Sequence, residues 1–594
     1  MLDFFINSRY NGDGGVLYWN GDNAYIYNCT FRNNKLSSSN GKGGAIFIGG
    51  DSDIFVIEDC NFFTNEAYNG GAIYVDDVTD NTLIYNSAFA TNTASHYGGA
   101  LYYEGGICYY VDDHTSFTGN SATGDSQYDD IYDSDGATKC ILDVYVSLNG
   151  GGTGKTFNSP TTFQNGFKLV APNGKITFVN KNEIFTIKDN YHISKFNITF
   201  LGNNSTLKDL SFTINPTSYS IKFYNLIFTN NEDYTIIWSS IDGVVENCTF
   251  KDNGGNNGVK GVAIQANANN LLVKNSVFDN NKALTSGADG GAIWCNATNL
   301  RIINSNFTNN QASNAGIHIY LAESASNTII VGSRFINGIK IGTGSAIVHT
   351  NGTIIVYNSV FENNEGDYGG ALRLLSGSSN INSSSFTDNR ATYGGAIYSN
   401  VPLTLTYSNF THNQADYGGA LYLSGTGNSL TNLIFERNIA KVGSAIYFNT
   451  SDDITFKKIK FTTNTATEDA TVYFTSNCNV YNDENVIFTG NILPDASSLN
   501  VVVPDGVKIN ANVYYVSNAG GGTGLTWGND ATTLDYALSH VFEGGKIIFS
   551  KDTYEFENAI TISQNIALIG NQTTLKRKNG MADKYLFIPL SQFI

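Results

Sequence analysis

Apolar and polar residues alternate over short stretches of this chain, and the stretches recur. Phenylalanine stands at positions 31, 62, 89 and 117, and again at 228, 250, 278, 307, 335, 361, 386, 410, 435, 461 and 488. Fourteen of these fifteen carry an asparagine three residues later, and most carry another three residues earlier. The unit reads N-x-x-F-x-x-N-x-A, then a short loop, then G-G-A-I-Y. One example runs Asp59-Cys60-Asn61-Phe62-Phe63-Thr64-Asn65-Glu66-Ala67 and then Gly70-Gly71-Ala72-Ile73-Tyr74. Self-similarity at this interval predicts a solenoid in which each unit buries its face on the next.

Within one unit, a period of two assigns the faces. The position two before each Phe is small or apolar (Cys29, Cys60, Ser87, Cys248, Ser276, Ser305, Ser359), so it points inward with the ring. The position just before the Phe tolerates Thr30, Asn61, Arg334 and Lys460, so it points out. Five before lies another apolar residue, such as Ile57, Val245 or Val356, which marks a second inward strand. G-G-A-I-Y is the third, with Ile73 and Val75, or Leu372 and Leu374, inward and Arg373 outward between the leucines. Ile, Val, Phe, Tyr, Thr, Asn and Gly dominate, and strong helix formers are few, so the repeat is β and not helical. Asparagine suits the corners because it tolerates the left-handed conformation and its amide bonds to adjacent coils, and the paired glycines give similar relief. The expected fold is all-β, a right-handed parallel β-helix with three short strands per coil.

A longer repeat overlies the short one. Val144-Tyr145-Val146-Ser147 and Gly150 to Gly154 return as Tyr514-Tyr515-Val516-Ser517 and Gly520 to Gly524, and Gly174-Lys175-Ile176 returns as Gly545-Lys546-Ile547. Tandem β-helix domains follow: 1–141 as the last coils of one copy, 142–511 as a full copy, and 512–594 as the start of a third. Within the full copy, 142–225 is the cap with the first coils and 226–511 the regular solenoid. Leu534, Ala537, Leu538, Val541 and Phe542 have amphipathic helix spacing, suited to covering an open strand edge. A chain that starts and stops inside domains is expected to be a piece of a longer, monomeric polypeptide.

The formal charge of −18 gives no general attraction for nucleic acid or anionic lipid. No apolar run is long enough to span a bilayer, and the first residues show no signal-peptide pattern. Seven cysteines argue against a complete disulfide framework. Cys29 and Cys60 share an inward column one coil apart, within reach of a bridge, but serine fills that column elsewhere and free thiols are the better reading.

The G-G-A-[IL] and F-x-x-N pairs resemble the repeats of chlamydial polymorphic outer-membrane proteins. With Gly14-Gly15-Val16-Leu17-Tyr18-Trp19-Asn20-Gly21 and the V-Y-V-S…G-G-G-T-G starts, the chain is similar over essentially its whole length to adhesin-like surface proteins of methanogenic archaea. The resemblance implies a right-handed β-helix displayed outside the cell, in the envelope or at its surface.

Polysaccharide lyases and glycoside hydrolases use the same scaffold and place acids with Arg, Lys or His on one exterior groove. Acid pairs occur at Asp76-Asp77, Asp112-Asp113, Asp129-Asp130 and Asp452-Asp453, without G-H-G, R-I-K or R-x-P-x-x-R. Asp113-His114 resembles part of a lyase W-x-D-H element, but lacks the Trp and sits in a corner column. Asp125, Asp129, Asp130, Asp133 and Asp135 lack calcium-loop spacing, and His96, His318, His349 and His412 have no metal-ligand spacing. The glycines from Gly150 lack the Lys of a phosphate loop. No catalytic residue, metal or cofactor is expected.

Binding is expected on the exterior column after G-G-A-I. It holds Tyr18, Phe47, Tyr74, Tyr102 and Trp294, then Tyr398, Tyr422, Tyr447 and Tyr473 from consecutive coils. Such a stripe offers rigid aromatic area to sugar rings or apolar patches; equally, aromatic ladders stabilise any sheet. N-x-[ST] sequons at Asn28, Asn197, Asn247, Asn296, Asn306, Asn351 and Asn409 are a weaker surface signal. The sequence reads as an extracellular, non-catalytic adhesin-like protein that contacts glycans or proteins of other cells. A polysaccharide-active enzyme and a passive envelope spacer are the alternatives.

Overall fold

A computed structural model describes residues 2–5, 8–9, 12–21, 23–49, 54–76, 81–105, 108–134, 137–495, 498–578 and 587–589. Parallel strands stack coil upon coil as the repeat predicts, and only two α-helices occur among the described residues. The fold is a parallel β-helix. Contacts divide it into two compact units. One holds Met1–Phe185, His192–Leu207 and Ile214–Leu226; the other holds Thr186–Tyr191, Lys208–Thr213 and Ile227–Ile594.

In the first unit the Phe strands Cys29–Arg32, Asn61–Phe63, Ala88–Ala90 and Ser116–Thr118 lie in register, so Phe31 faces Phe62 and Phe89 faces Phe117. Their ring centroids are 4.9, 4.7 and 5.2 Å apart in succession. In the second unit the same column runs from Phe228 to Phe488, with neighbouring rings such as Phe278 and Phe307 at 4.5 Å. The coil spacing of a parallel sheet therefore sets the stacking distance of the core. A fourth strand of two residues, beyond the expected three, follows the asparagine corner, as in Glu66–Ala67 paired with Thr93–Ala94. The alanine of N-x-A is buried there, and its lack of bulk lets the chain run along the coil before it turns.

The two jobs expected of corner asparagine fall to different columns. Left-handed backbone belongs to the residue three before most of these Phe residues (Asn28, Asn247, Asn275, Asn304, Asn358) and to the one two after them (Asn33, Asn280, Asn309, Asn363). The asparagine three after the Phe is buried and builds a ladder. Asn413 Nδ2 donates to Asn438 Oδ1 at 3.0 Å and to the Phe386 carbonyl at 2.9 Å, and its Oδ1 accepts from the Asn389 backbone and side chain. The small column two before each Phe forms a parallel ladder, with the Cys248 N–H donating to Ser276 Oγ at 3.2 Å.

Cys29 and Cys60 are free and buried. The disulfide instead joins Cys108 to Cys140, with Cα atoms 5.7 Å apart in the first unit. There Phe196 packs on Ile54 and Leu83, flanked by Val56, Tyr85 and Tyr110, so an outward face of the early coils is covered. The helix foreseen near residue 534 spans Leu534–His540 and is capped by Thr533, whose side chain accepts from the Tyr536 N–H. Val541 and Phe542 pass into the following strand. A second helix, Phe163–Leu169, follows the matching glycine run Gly150 to Gly154. Its Gly166 has no room for a Cβ, which would lie 2.4 Å from Val146 Cγ1.

Candidate functional site: a double tyrosine ladder

Tyr398, Tyr422, Tyr447 and Tyr473 occupy the central positions of Ile397–Ser399, Leu421–Leu423, Ile446–Phe448 and Val472–Phe474, which pair rung to rung. Their neighbours on each strand are buried, which turns the tyrosines outward. Successive ring centroids lie 5.2, 5.0 and 5.2 Å apart, with planes within 15° of parallel. Each ring is half-buried. The faces of neighbouring rings cover one another, which leaves edges and phenolic oxygens toward solvent.

A second ladder stands beside it. Tyr368, Tyr393 and Tyr417 stack at 5.3 and 5.4 Å. Each meets the stripe edge-on in the next coil: Tyr368 with Tyr398 at 5.0 Å and 69°, Tyr393 with Tyr422 at 5.4 Å and 79°, Tyr417 with Tyr447 at 5.5 Å and 76°. Edge-to-face contact is a preferred geometry for aromatic pairs. The seven rings form two walls meeting at a corner. The sequence signal for the second wall is the Y-G-G triplet at 368–370, 393–395 and 417–419. The glycines bring the walls together: a Cβ on Gly369 (φ +65°) would lie 2.0 Å from the Leu372 carbonyl oxygen and 2.8 Å from the Tyr398 N.

Trp294 shares the stripe's column but not its stack. Tyr320, Val348 and Arg373 fill the rungs between it and Tyr398. Lys260 Nζ lies 3.8 Å from the centre of the Trp294 ring, and the Arg373 guanidinium lies 4.9 Å from that of Tyr368. Burial pushes the Tyr422 phenol up to about 12, with Tyr447 and Tyr398 adding to the shift. Tyr447 and Tyr473 are raised chiefly by burial as well. These three phenols therefore remain hydrogen-bond donors at neutral pH.

The first unit carries a ladder in the corresponding column, Tyr18, Phe47, Tyr74, Tyr102 and Tyr132, with rings 4.6 to 5.6 Å apart. It is not uniformly exterior, since Phe47 is 3 % and Tyr74 1 % exposed. Lys42 Nζ sits 4.5 Å over the Tyr74 ring and pairs with Glu104, whose carboxylate accepts the Tyr74 hydroxyl. That ladder is sealed at its centre by charged side chains, whereas the one from Tyr398 to Tyr473 stays half-exposed throughout.

The other candidates are absorbed by structure. Asp112 accepts from the Asn86 and Thr115 backbone, and the His114 side chain is 82 % exposed. Asp125 caps a short 3-10 turn, Asp129 accepts from Ala122 N, Asp130 from Asn120 Nδ2, and Asp133 from the Tyr109 hydroxyl. Asp77 and Asp135 lie outside the described residues. Asp453 accepts from Asn479 and Tyr481. His96 stacks on Tyr68, His412 occupies a left-handed corner, and His318 and His349 are fully buried. Gly150 and Gly152 pack against Thr161 and Ser159 in a tight turn. Of the sequons, Asn247, Asn306, Asn351 and Asn409 are exposed. Among the described residues no group of three or more His, Cys, Asp or Glu is placed to hold a metal ion, and no helix is long and apolar enough to cross a membrane.

Residues 211–387 match the family described as a right handed beta helix region, and residues 383–400 match the Chlamydia polymorphic membrane protein repeat. No curated protein matches the chain. Among solved structures, a PL6-family alginate lyase aligns with 9 % identity over 97 % of this chain and 96 % of that one, at a TM-score of 0.19. A periplasmic alginate epimerase aligns with 9 % identity over 82 % and 77 %, at 0.13. At such scores no residue correspondence follows.

Proposed function

We propose that this is a surface protein displayed outside the cell, which recognises glycans of other cells non-catalytically through the lateral face of its β-helix. The double tyrosine ladder is the contact surface, and it is the observation that carries the reading. Seven outward tyrosines are held in one arrangement by the coil spacing, so little side-chain entropy remains to be lost on binding. The coils are already joined by the phenylalanine stack and the buried asparagine and serine ladders, so a half-exposed ladder is not needed to hold them. The surface setting is supported by the polymorphic membrane protein repeat at 383–400 and by the Cys108–Cys140 disulfide, which fits an oxidising compartment.

The test is a glycan array probed with the whole chain, with the same wells assayed for new reducing ends and unsaturated uronate. Binding without product is the expected result. Product release would replace the reading with a polysaccharide-active enzyme, and an array without any bound glycan would remove it.

A further inference from the structure

We propose that the ladder takes a neutral, extended β-1,4-linked polysaccharide laid along the solenoid axis, with one sugar per coil. The inference rests on the glycan-binding reading above and names the ligand class.

Its first support is metric. The rungs Tyr398, Tyr422, Tyr447 and Tyr473 are spaced 5.2, 5.0 and 5.2 Å, and the second wall repeats at 5.3 and 5.4 Å. Backbone hydrogen bonding between coils, about 4.8 Å apart in any sheet, keeps the rings at this nearly constant centroid separation, so the stack forms a ruler. A β-1,4-linked pyranose chain in its extended two-fold form advances by nearly one rung per sugar and stays in step over all four. An α-1,4-linked chain coils and a β-1,3-linked chain curves, so both lose step within a few rungs.

The second support is the chemistry of the exposed atoms. Ring faces are covered by adjacent rungs, so a sugar cannot lie flat on any ring between two neighbours. The stripe offers a row of phenolic O–H groups and aromatic edges, which suits a chain whose edge carries hydroxyl groups on every sugar, those of alternate sugars coming from opposite sides of the ring.

Charge decides between neutral and acidic polymers. The chain carries −18 overall, and two of the nearby lysines are paired with acids. Lys340 pairs with Asp367 at 2.5 Å, Lys441 with Asp416 at 3.2 Å, and Arg373 lies over Tyr368. A polyuronate would meet the net repulsion of the chain, offset locally only by Arg373 and Arg390.

The experiment is calorimetric titration of the whole chain with cello- and chito-oligosaccharides of one to six sugars, and with maltohexaose, laminarihexaose and polygalacturonate. At least one β-1,4 series is expected to tighten by about fivefold per added sugar, the worth of one net hydrogen bond, up to four sugars and then level off. Maltohexaose, laminarihexaose and polygalacturonate are expected to bind at least about tenfold more weakly than the matching hexamer. The triple variant Y398F/Y422F/Y447F keeps the stacked rings and loses three hydroxyls. It should bind about a hundredfold more weakly with unchanged hydrogen exchange in these coils. Equal binding of the other linkages, equal binding of polygalacturonate, absence of a plateau, or full binding by the triple variant would each overturn the proposal. If a different glycan binds and Y422A/Y447A abolishes that binding, this inference fails while the glycan-binding reading stands. If neither these probes nor any arrayed glycan binds, both fail.

Discussion

One rung of the asparagine ladder is missing, and its replacement makes a sharp prediction. Phe335 is followed three residues later by Gly338, where every other coil of the series has asparagine. The gap is filled by His318, just before the strand Ile319–Leu321, in the column that Ala292 and Ala346 occupy in adjacent coils. Asn310 Nδ2 lies 3.0 Å from His318 Nδ1, and His318 Nε2 lies 3.2 Å from Asn364 Oδ1. An amide nitrogen donates and an amide oxygen accepts, so the imidazole is neutral with its hydrogen on Nε2. H318A removes two buried hydrogen bonds, strands an amide proton of Asn310 and leaves a void, a loss of about 3–5 kcal/mol. G338N puts a Cβ 2.8 Å from Asn364 Oδ1, 3.1 Å from Ile317 Cγ2 and 3.3 Å from His318 Nε2; overpacking of this kind costs about 1–3 kcal/mol. H318A/G338N restores the asparagine and alanine of a regular rung, keeps the 3.1 Å contact with Ile317 Cγ2, and is expected to lose less than the two single losses summed by about 2–3 kcal/mol. A long repeat array need not unfold in one step. The assay is therefore native-state hydrogen exchange at amides between 306 and 364, which reads local opening. A double variant that opens as readily as the two single losses summed would refute the compensation.

Acidification should weaken these same coils. Burial lowers His318 to about 3 and His349 to about 4, so their contribution is complete above the unfolded value of about 6.5 and is lost as pH falls toward 3–4, at up to about 1.4 kcal/mol per pH unit each. Asp530 has the opposite sign: burial raises it to about 6, so the exchange-measured stability of its turn should fall as pH rises from about 4 to 6. Thiol titration of the denatured, unreduced chain should count five free cysteines and rise to seven on reduction. C108S/C140S should lose about 2–5 kcal/mol locally; before the second glycine run, at Gly520 to Gly524, Asn510 hydrogen-bonds Asn479 at 3.0 Å without a disulfide. Y422A breaks two stacked contacts and one edge contact and should cost about 1–2 kcal/mol at its own coil while the fold persists, checked by the same exchange measurement.

The solenoid was legible because one coil repeats one solution: Phe62 inward, Cys60 beside it, Asn65 at the corner. The first tyrosine wall followed from the same alternation, since Tyr422 lies between Leu421 and Leu423. The second wall did not, because Tyr393 sits in a loop where period-two logic assigns no face. Its edge contact with Tyr422 depends on how closely the Gly394–Gly395 turn packs. The Cys108–Cys140 pair was also hidden, since the two lie outside the recurring unit, whereas Cys29 and Cys60 share a column that serine can fill. Trp294 shares the stripe's column, but three intervening rungs separate it from Tyr398.

The most direct test of the central claim is retention on arrayed glycans of the wild-type chain beside Y422A/Y447A, with hydrogen exchange confirming that both are folded. The account predicts retention of the wild type and its loss in the variant. Equal retention of the two folded proteins would contradict it.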